Sequence, residues 1–172
     1  GPAFDADDTP RRGRLVVEYT TSTNPMEDVY VKDTSGNRYH AKTTGAIYNP
    51  FDRSFECAAN DGSQWVDTLI PNGSRFNSQF SISLWVNMGQ FDRTSLYGYI
   101  CAIGDRNQNV DGSSSGNEFG LVYNHAGLTE GAFFLSIEGQ TDVFTREWTG
   151  HDNHMGQWYH LTATYDGRTV YL

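Results

Sequence analysis

Apolar and polar residues alternate with a period of two in two long stretches of this chain. In residues 80–88 (FSISLWVNM), every second residue from Phe80 to Met88 is apolar. In residues 158–165 (WYHLTATY), the odd-numbered positions carry the leucine, alanine and tyrosine side chains. Such alternation is typical of a strand that places one face on a core and the other in solvent. We therefore predict a half-buried β-strand in each stretch.

A hairpin turn is predicted directly after the second stretch, at Asp166-Gly167. Aspartate and glycine tolerate the positive φ angles that a two-residue type I′ turn requires at both of its central positions. The turn would lead into a return strand over residues 168–172. We therefore expect the second stretch to be one arm of a hairpin.

Shorter apolar stretches, separated by turn-forming residues, predict the remaining strands. They are residues 15–20, 29–33, 54–59, 64–70, 97–104, 118–124, 132–138 and 141–148. No long stretch has the apolar spacing of a helix. Many short strands are typical of a sandwich or a barrel, and the clean apolar face of residues 80–88 favours two sheets packed face to face. The predicted fold class is all-β, a two-sheet antiparallel sandwich.

Composition and charge narrow the functional classes. The chain has 172 residues and a net charge of −9, so it fits a single domain and lacks the basic footprint expected of a nucleic-acid-binding protein. It has no apolar run long enough to span a membrane. We expect residues 1–13 to be a flexible leader that opens with a tag scar, Gly1-Pro2. Cys57 and Cys101 leave two alternatives open, a disulfide of a secreted protein or two buried thiols.

Several strand motifs together resemble a known family. FSISLWVN, YGYICAIGD, NEFGLVYN and GQWYHLTATYDGRTVYL are similar, in order and spacing, to the laminin-G-like, concanavalin-A-like jelly rolls. The loop at residues 33–40 (DTSGNRYH) and the stretch 15–19 are similar to that family's D-x-S-G-N loop and opening strand. The resemblance covers residues 14–172 and implies one jelly-roll domain.

The family pattern continues beyond the T-V-Y-L motif with further strands, the last of which pairs with the opening strand. Residues 15–19 would otherwise form an open sheet edge, which proteins usually protect. The resemblance therefore implies that a second chain or another segment completes this edge.

Calcium is the first candidate ligand, because Ca²⁺ binds six to eight oxygen atoms supplied by carboxylates and carbonyls. Asp33, Ser35 and Asn37 carry such oxygens in the loop where the resemblance is close. Asp105 and Asp152 carry them on two further loops that the fold is expected to bring to one rim, and the resemblance implies a calcium ion at such a rim. The alternative is that the first loop is an Asx turn and that the rim acids are only solvated.

A ligand-binding rim is the second candidate site. Tyr97, Tyr123 and Trp148 offer aromatic rings, and Asn107 offers an amide, which together suit the stacking and hydrogen bonding of a glycan. The alternative is that these aromatic residues belong to the core. We interpret His160 as a packed, hydrogen-bonded strand residue.

An enzymatic role is not expected. Glycosidases of this shape need two carboxylates held close together across a cleft, as in an E-x-D-x-x-E strand, and the chain has no such run. The resemblance implies a secreted or surface-exposed recognition module that binds a glycan or a cell-surface or matrix protein, with a structural calcium ion. The alternatives are a self-associating coat, fibre or adhesin spacer, and a polysaccharide-active enzyme of the same fold.

Overall fold

The computed structural model describes ten segments of the chain. They are residues 14–19, 21, 30–57, 63–70, 79–89, 97–104, 117–124, 130–137, 144–149 and 156–172. The chain forms two compact units, residues 1–70 and residues 71–172.

The described residues form twelve β-strands. They are β1 Tyr30–Val31, β2 Ala41–Thr44, β3 Ile47–Asn49, β4 Ser54–Glu56, β5 Trp65–Asp67, β6 Phe80–Asn87, β7 Tyr97–Gly104, β8 Asn117–Asn124, β9 Glu130–Ile137, β10 Phe144–Thr149, β11 Trp158–Tyr165 and β12 Val170–Tyr171. Every strand pair between them is antiparallel. The predicted all-β, antiparallel fold class is confirmed.

The second unit contains two sheets that pack on each other. Their strand orders are β10-β9-β8-β7 and β12-β11-β6. Phe80 on β6 stacks on Phe119 of β8, with ring centroids 5.0 Å apart. Met88, just after β6, joins Tyr123 and Phe133 of the other sheet in a buried cluster. Side chains of both sheets therefore meet in one apolar layer, as in a sandwich.

The two alternating stretches of the sequence are neighbours in this structure. β6 and β11 pair over eight residues without a register shift, from Phe80 opposite Tyr165 to Asn87 opposite Trp158. Along both strands, the side chains predicted to face inward are buried or half-buried, and their neighbours are mostly exposed. The predicted half-buried strands are confirmed, because this alternation places every second residue on the core.

The predicted two-residue turn at Asp166-Gly167 is wrong. Tyr165 pairs with Val170, so the connecting loop comprises the four residues 166–169. The Asp166 carboxylate accepts the backbone N–H groups of Arg168 and Thr169, at 2.8 and 2.7 Å. Aspartate side chains commonly stabilise turns in this way. Here the two local hydrogen bonds stabilise the four-residue loop.

The first unit contains the sheet β1-β2-β5 and the hairpin β3-β4. Of the strand predicted at residues 15–20, the described residues 15–19 do not form a regular strand, because their only ladder contact among the described residues is a single bridge between Tyr19 and Asp33. Side chains of a neighbouring loop hold the backbone of this segment, as described below. The opening strand implied by the family resemblance is therefore corrected to a segment with one isolated bridge in place of a ladder.

Both cysteines are free thiols. Cys57 is exposed, and Cys101 is partly buried on β7. Burial raises the pKa of the Cys101 thiol to about 12. The structure shows free thiols rather than a disulfide, but the expected burial of both thiols is wrong for Cys57, which is exposed.

Candidate functional site

The outward face of the β6–β11–β12 sheet carries an exposed group of aromatic side chains, which we call the aromatic face. Trp85 is 66% exposed on β6, and Trp158 is 40% exposed on β11. His160 lies two positions after Trp158 and is also exposed. On β12, Tyr171 is 64% exposed. Large aromatic rings are concentrated here on the side of the sheet that faces away from the core.

Strand register brings these side chains into cross-strand pairs. Trp85 lies opposite His160, and Trp158 lies opposite Asn87. The rings of Trp85 and His160 are 5.1 Å apart with an angle of 45° between their planes. Directly opposed side chains on an antiparallel pair interact in this way, so the sheet itself fixes where the two rings stand.

Small polar side chains surround the rings. Ser83 lies on β6 and His160 on β11. Ser83 Oγ is 2.8 Å from His160 Nε2, and this hydrogen bond orients the imidazole ring. Farther along the same face, the Ser81 hydroxyl donates to Thr164 Oγ1 at 3.3 Å. Thr162 on β11 and Asn87 on β6 are also exposed on this face. A ring surface bordered by hydroxyl, amide and imidazole groups can stack on an apolar ring and hydrogen-bond to its substituents.

The loop with the calcium candidates has a different architecture. The Asp33 carboxylate is 3% exposed, and each of its oxygens accepts two hydrogen bonds. Oδ1 accepts the N–H groups of Glu18 and Ser35 at 3.0 and 2.8 Å. Oδ2 accepts the Ser35 hydroxyl and the Tyr39 N–H at 2.8 and 3.0 Å. Burial raises the pKa of Asp33, but these hydrogen bonds together outweigh it and leave the pKa below its usual value.

The same loop binds the segment that precedes it in the sequence. The Asn37 amide donates to the carbonyl oxygens of Leu15 and Val16 at 2.8 and 2.9 Å. The Thr34 N–H and hydroxyl donate to Glu18, to its backbone oxygen at 2.9 Å and to its carboxylate at 2.6 Å. These bonds replace the ladder that residues 15–19 lack. The loop therefore acts as a clamp on this segment, and we call residues 33–37 the Asp33 clamp.

The geometry of the Asp33 clamp does not fit a calcium ion. Calcium needs oxygen lone pairs that converge on one point, whereas both Asp33 oxygens already accept two donors each. The bond from the Ser35 N–H to Asp33 is that of an Asx turn, the alternative considered from the sequence. Among the described residues, no group of three or more His, Cys, Asp and Glu side chains is arranged to hold a metal ion.

The other predicted site residues are dispersed. Tyr123 is fully buried and packs on Phe133 with ring centroids 5.1 Å apart, so it is a core residue and offers no surface to a ligand. Tyr97 opens β7 opposite Asn124, and Trp148 lies on β10 opposite Gly131, so the two occupy opposite edges of the four-stranded sheet. The candidates Asp105, Asn107 and Asp152 lie outside the described residues.

The aromatic face was not among the sites predicted from the sequence. Its signal was nevertheless present, because Trp85 and Trp158 occupy the polar positions of two strongly alternating strands. An aromatic residue at such a position faces away from the core. His160, predicted to be hydrogen-bonded, has that bond to Ser83 but is exposed rather than packed.

Comparison with models of protein families shows the family to which this chain belongs. Residues 60–172, well over half of the chain, match a laminin-G-type family model of the Concanavalin A-like lectin/glucanases superfamily. The chain belongs to this superfamily. The matched region includes all three strands that carry the aromatic face, whereas the Asp33 clamp precedes it. Membership in the Concanavalin A-like superfamily supports a lectin-like or other binding module.

Two other comparisons gave no match. No curated protein matches the chain, and no solved structure matches it. In the part of the chain that the structure describes, no helix has the length and apolar character needed to cross a membrane.

Proposed function

We propose that this protein is a non-catalytic recognition module that binds a glycan on the aromatic face. The observation that carries the proposal is Trp85, which stands 66% exposed on a regular strand with a polar partner, His160, at 5.1 Å. Tryptophan is the residue most enriched among side chains that dominate binding energy. Its indole ring also offers both an apolar plane for stacking and a polar N–H group.

Pre-organisation supports the same proposal. The rings stand on two strands that pair over eight residues, and Ser83 fixes the His160 ring. A ligand that binds such a surface orders few side chains on arrival, so little of its binding free energy is lost to entropy. A rigid scaffold with exposed rings is therefore suited to ligands with a flat apolar face, such as the C–H face of a sugar ring.

Trp85→Ala tests this proposal. Glycan-array screening followed by isothermal titration calorimetry of the best ligand should show at least a tenfold loss of affinity for the variant, because the stacking surface is removed. The matched control is Phe51→Ala, since Phe51 is 94% exposed in the first unit and lies outside the aromatic face. That variant should bind like the wild type. A wild-type protein that binds no glycan, or a Trp85→Ala variant with unchanged affinity, would contradict the proposal.

Extracellular location and calcium binding form part of the proposal. Laminin-G-like domains are commonly extracellular, and an acidic chain with net charge −9 suits a calcium-rich environment. Because the Asp33 clamp is occupied by its own hydrogen bonds, Asp105 and Asp152 remain the proposed calcium ligands. Thermal-shift titration with Ca²⁺ should raise Tm, and Asp105→Asn together with Asp152→Asn should remove that rise. A wild-type Tm that does not respond to Ca²⁺ would rule this ion out.

A further inference from the structure

We infer that the ligand of the aromatic face is a neutral, hydroxyl-rich glycan rather than a sulfated or carboxylated one. This inference rests on the proposed function, because it names the chemical class of the ligand for the same surface. Three properties of the surface support it, namely its charge, the kind of polar group it offers and its dimensions.

The first property is the absence of charge on the strands that form the face. The sequences of β6, β11 and β12 are FSISLWVN, WYHLTATY and VY, without an aspartate, glutamate, lysine or arginine. The chain as a whole carries 33 such residues, 12 basic and 21 acidic. Recognition of sulfate or carboxylate relies on Arg and Lys, which provide charge-assisted hydrogen bonds. The strands of this face provide none.

The charged residues that follow β11 lie at the opposite end of that strand from Trp158 and His160, whereas Tyr171 on β12 pairs near them, with Thr164. Asp166 and Arg168 belong to the loop after Tyr165, and Asp166 is six positions beyond His160. Six strand residues span about 20 Å, which exceeds the Debye length of about 8 Å at physiological ionic strength. Neither side chain is therefore placed to attract or repel a ligand that is stacked on Trp85 or Trp158.

The second property is the kind of polar group. Ser83, Thr162 and Asn87 are exposed beside the rings. Hydroxyl and amide groups both donate and accept hydrogen bonds, and so do the hydroxyl groups of a sugar. A sulfate group only accepts them, so half of the capacity of these side chains would be unused.

The third property is size. Trp85 and Trp158 lie on adjacent strands, two positions apart along the sheet, because Trp85 pairs with His160 and Trp158 with Asn87. This diagonal offset corresponds to about 7–8 Å between neighbouring positions. The two indole rings thus offer stacking area for roughly one or two sugar rings, with the polar side chains at their borders.

The experiment is a titration of the full chain with two sets of probes at two salt concentrations. The neutral set comprises cello-, manno- and galacto-oligosaccharides, and the anionic set comprises heparin and chondroitin sulfate oligosaccharides. Each is measured by calorimetry at 0.1 M and 1 M NaCl, between which the Debye length falls from about 10 Å to about 3 Å. We expect a neutral probe to bind best, with a Kd that changes less than about twofold with salt.

The outcomes separate this inference from the proposed function. If an anionic probe binds best, loses affinity in 1 M NaCl and still depends on Trp85, the inference is wrong while the proposed function stands. If probes bind but Trp85→Ala leaves their affinities unchanged, or if none binds, both are wrong. Trp85→Phe keeps an aromatic plane and should retain more affinity than Trp85→Ala. Equal losses in folded variants with the wild-type Tm would contradict stacking on a neutral ring.

Discussion

The Asp33 clamp and the aromatic face use their polar side chains in opposite ways. In the clamp, a 3% exposed carboxylate accepts four hydrogen bonds from its own chain. On the aromatic face, the polar groups are exposed and neutral, and they border rings that face solvent. A side chain whose hydrogen bonds are satisfied within the protein contributes to stability, whereas an exposed ring on a rigid strand remains available to a ligand. The acidic motif that resembles a metal loop therefore binds its own chain, and the binding surface that we propose lies among uncharged residues.

Removal of the Asp33 carboxylate is expected to have the largest effect. Asp33→Ala would leave the N–H groups of Glu18, Ser35 and Tyr39 without their acceptor, and unsatisfied buried donors cost about 1–3 kcal/mol each. We therefore expect a loss of about 3 kcal/mol or more in the free energy of unfolding, measured by urea denaturation. Asp52→Ala, which removes an exposed acid of the same unit, should change it little.

The difference between the Asp33 clamp and the aromatic face also predicts the glycan affinity of the Asp33→Ala variant. Because the four hydrogen bonds to the Asp33 carboxylate all come from residues of the first unit, folded Asp33→Ala protein should bind glycan with the wild-type affinity. A folded variant that loses glycan affinity while keeping its unfolding free energy would reverse the roles assigned to the two regions.

Acid should weaken the clamp. Hydrogen bonds hold the pKa of Asp33 below its usual value, so its contribution to stability is present above the unfolded-state pKa of about 3.9. That contribution is lost as the pH falls from there through the lower folded-state pKa. Urea unfolding between pH 7 and pH 3 should show this loss, and Asp33→Asn should show a smaller dependence on pH. An equal dependence in both proteins would contradict the role of the carboxylate.

Alternation made most of the second unit predictable from sequence. β6 and β11 were visible because one face of each packs on a core, which imposes a period of two on the residue types. The predicted span 97–104 coincides with β7. The first predicted strand failed because side chains about 20 positions later, those of Ser35 and Asn37, bind its backbone. Local propensity carries no information about such long-range bonds.

The candidate site was less predictable, because residue type does not tell which way an aromatic ring faces. Tyr123 and Trp85 are both aromatic strand residues, yet one is fully buried and the other is 66% exposed. Only the strand phase separates them. On β8 this phase is regular, because Phe119, Leu121 and Tyr123 are all buried, whereas on β7 it is interrupted by a register shift between Tyr99 and Cys101. Phase was reliable on β6, where a search for aromatic residues at polar positions would have found Trp85.

Ser83→Ala should have an intermediate effect, and only on binding. The substitution removes the hydroxyl that lies 2.8 Å from His160 Nε2 and frees the imidazole ring to turn. Ordering a free side chain on binding costs about 1 kcal/mol, which corresponds to roughly a fivefold change in Kd. Calorimetry with a neutral oligosaccharide should show this weakening at an unchanged Tm. The control is Ser81→Ala on the same face, two positions farther from Trp85, which should bind normally.

The smallest effect is expected at the β11–β12 loop, where a carboxylate resembles Asp33 in its bonding but not in its burial. Asp166 Oδ1 accepts the N–H groups of Arg168 and Thr169, and these bonds lower its pKa. Because the side chain is fully exposed, water can replace both bonds in Asp166→Ala. We expect a small fall in Tm, recovered in Asp166→Asn, which keeps an oxygen acceptor. A fall as large as that of Asp33→Ala would show that the number of hydrogen bonds, rather than burial, determines how much such a carboxylate stabilises this protein.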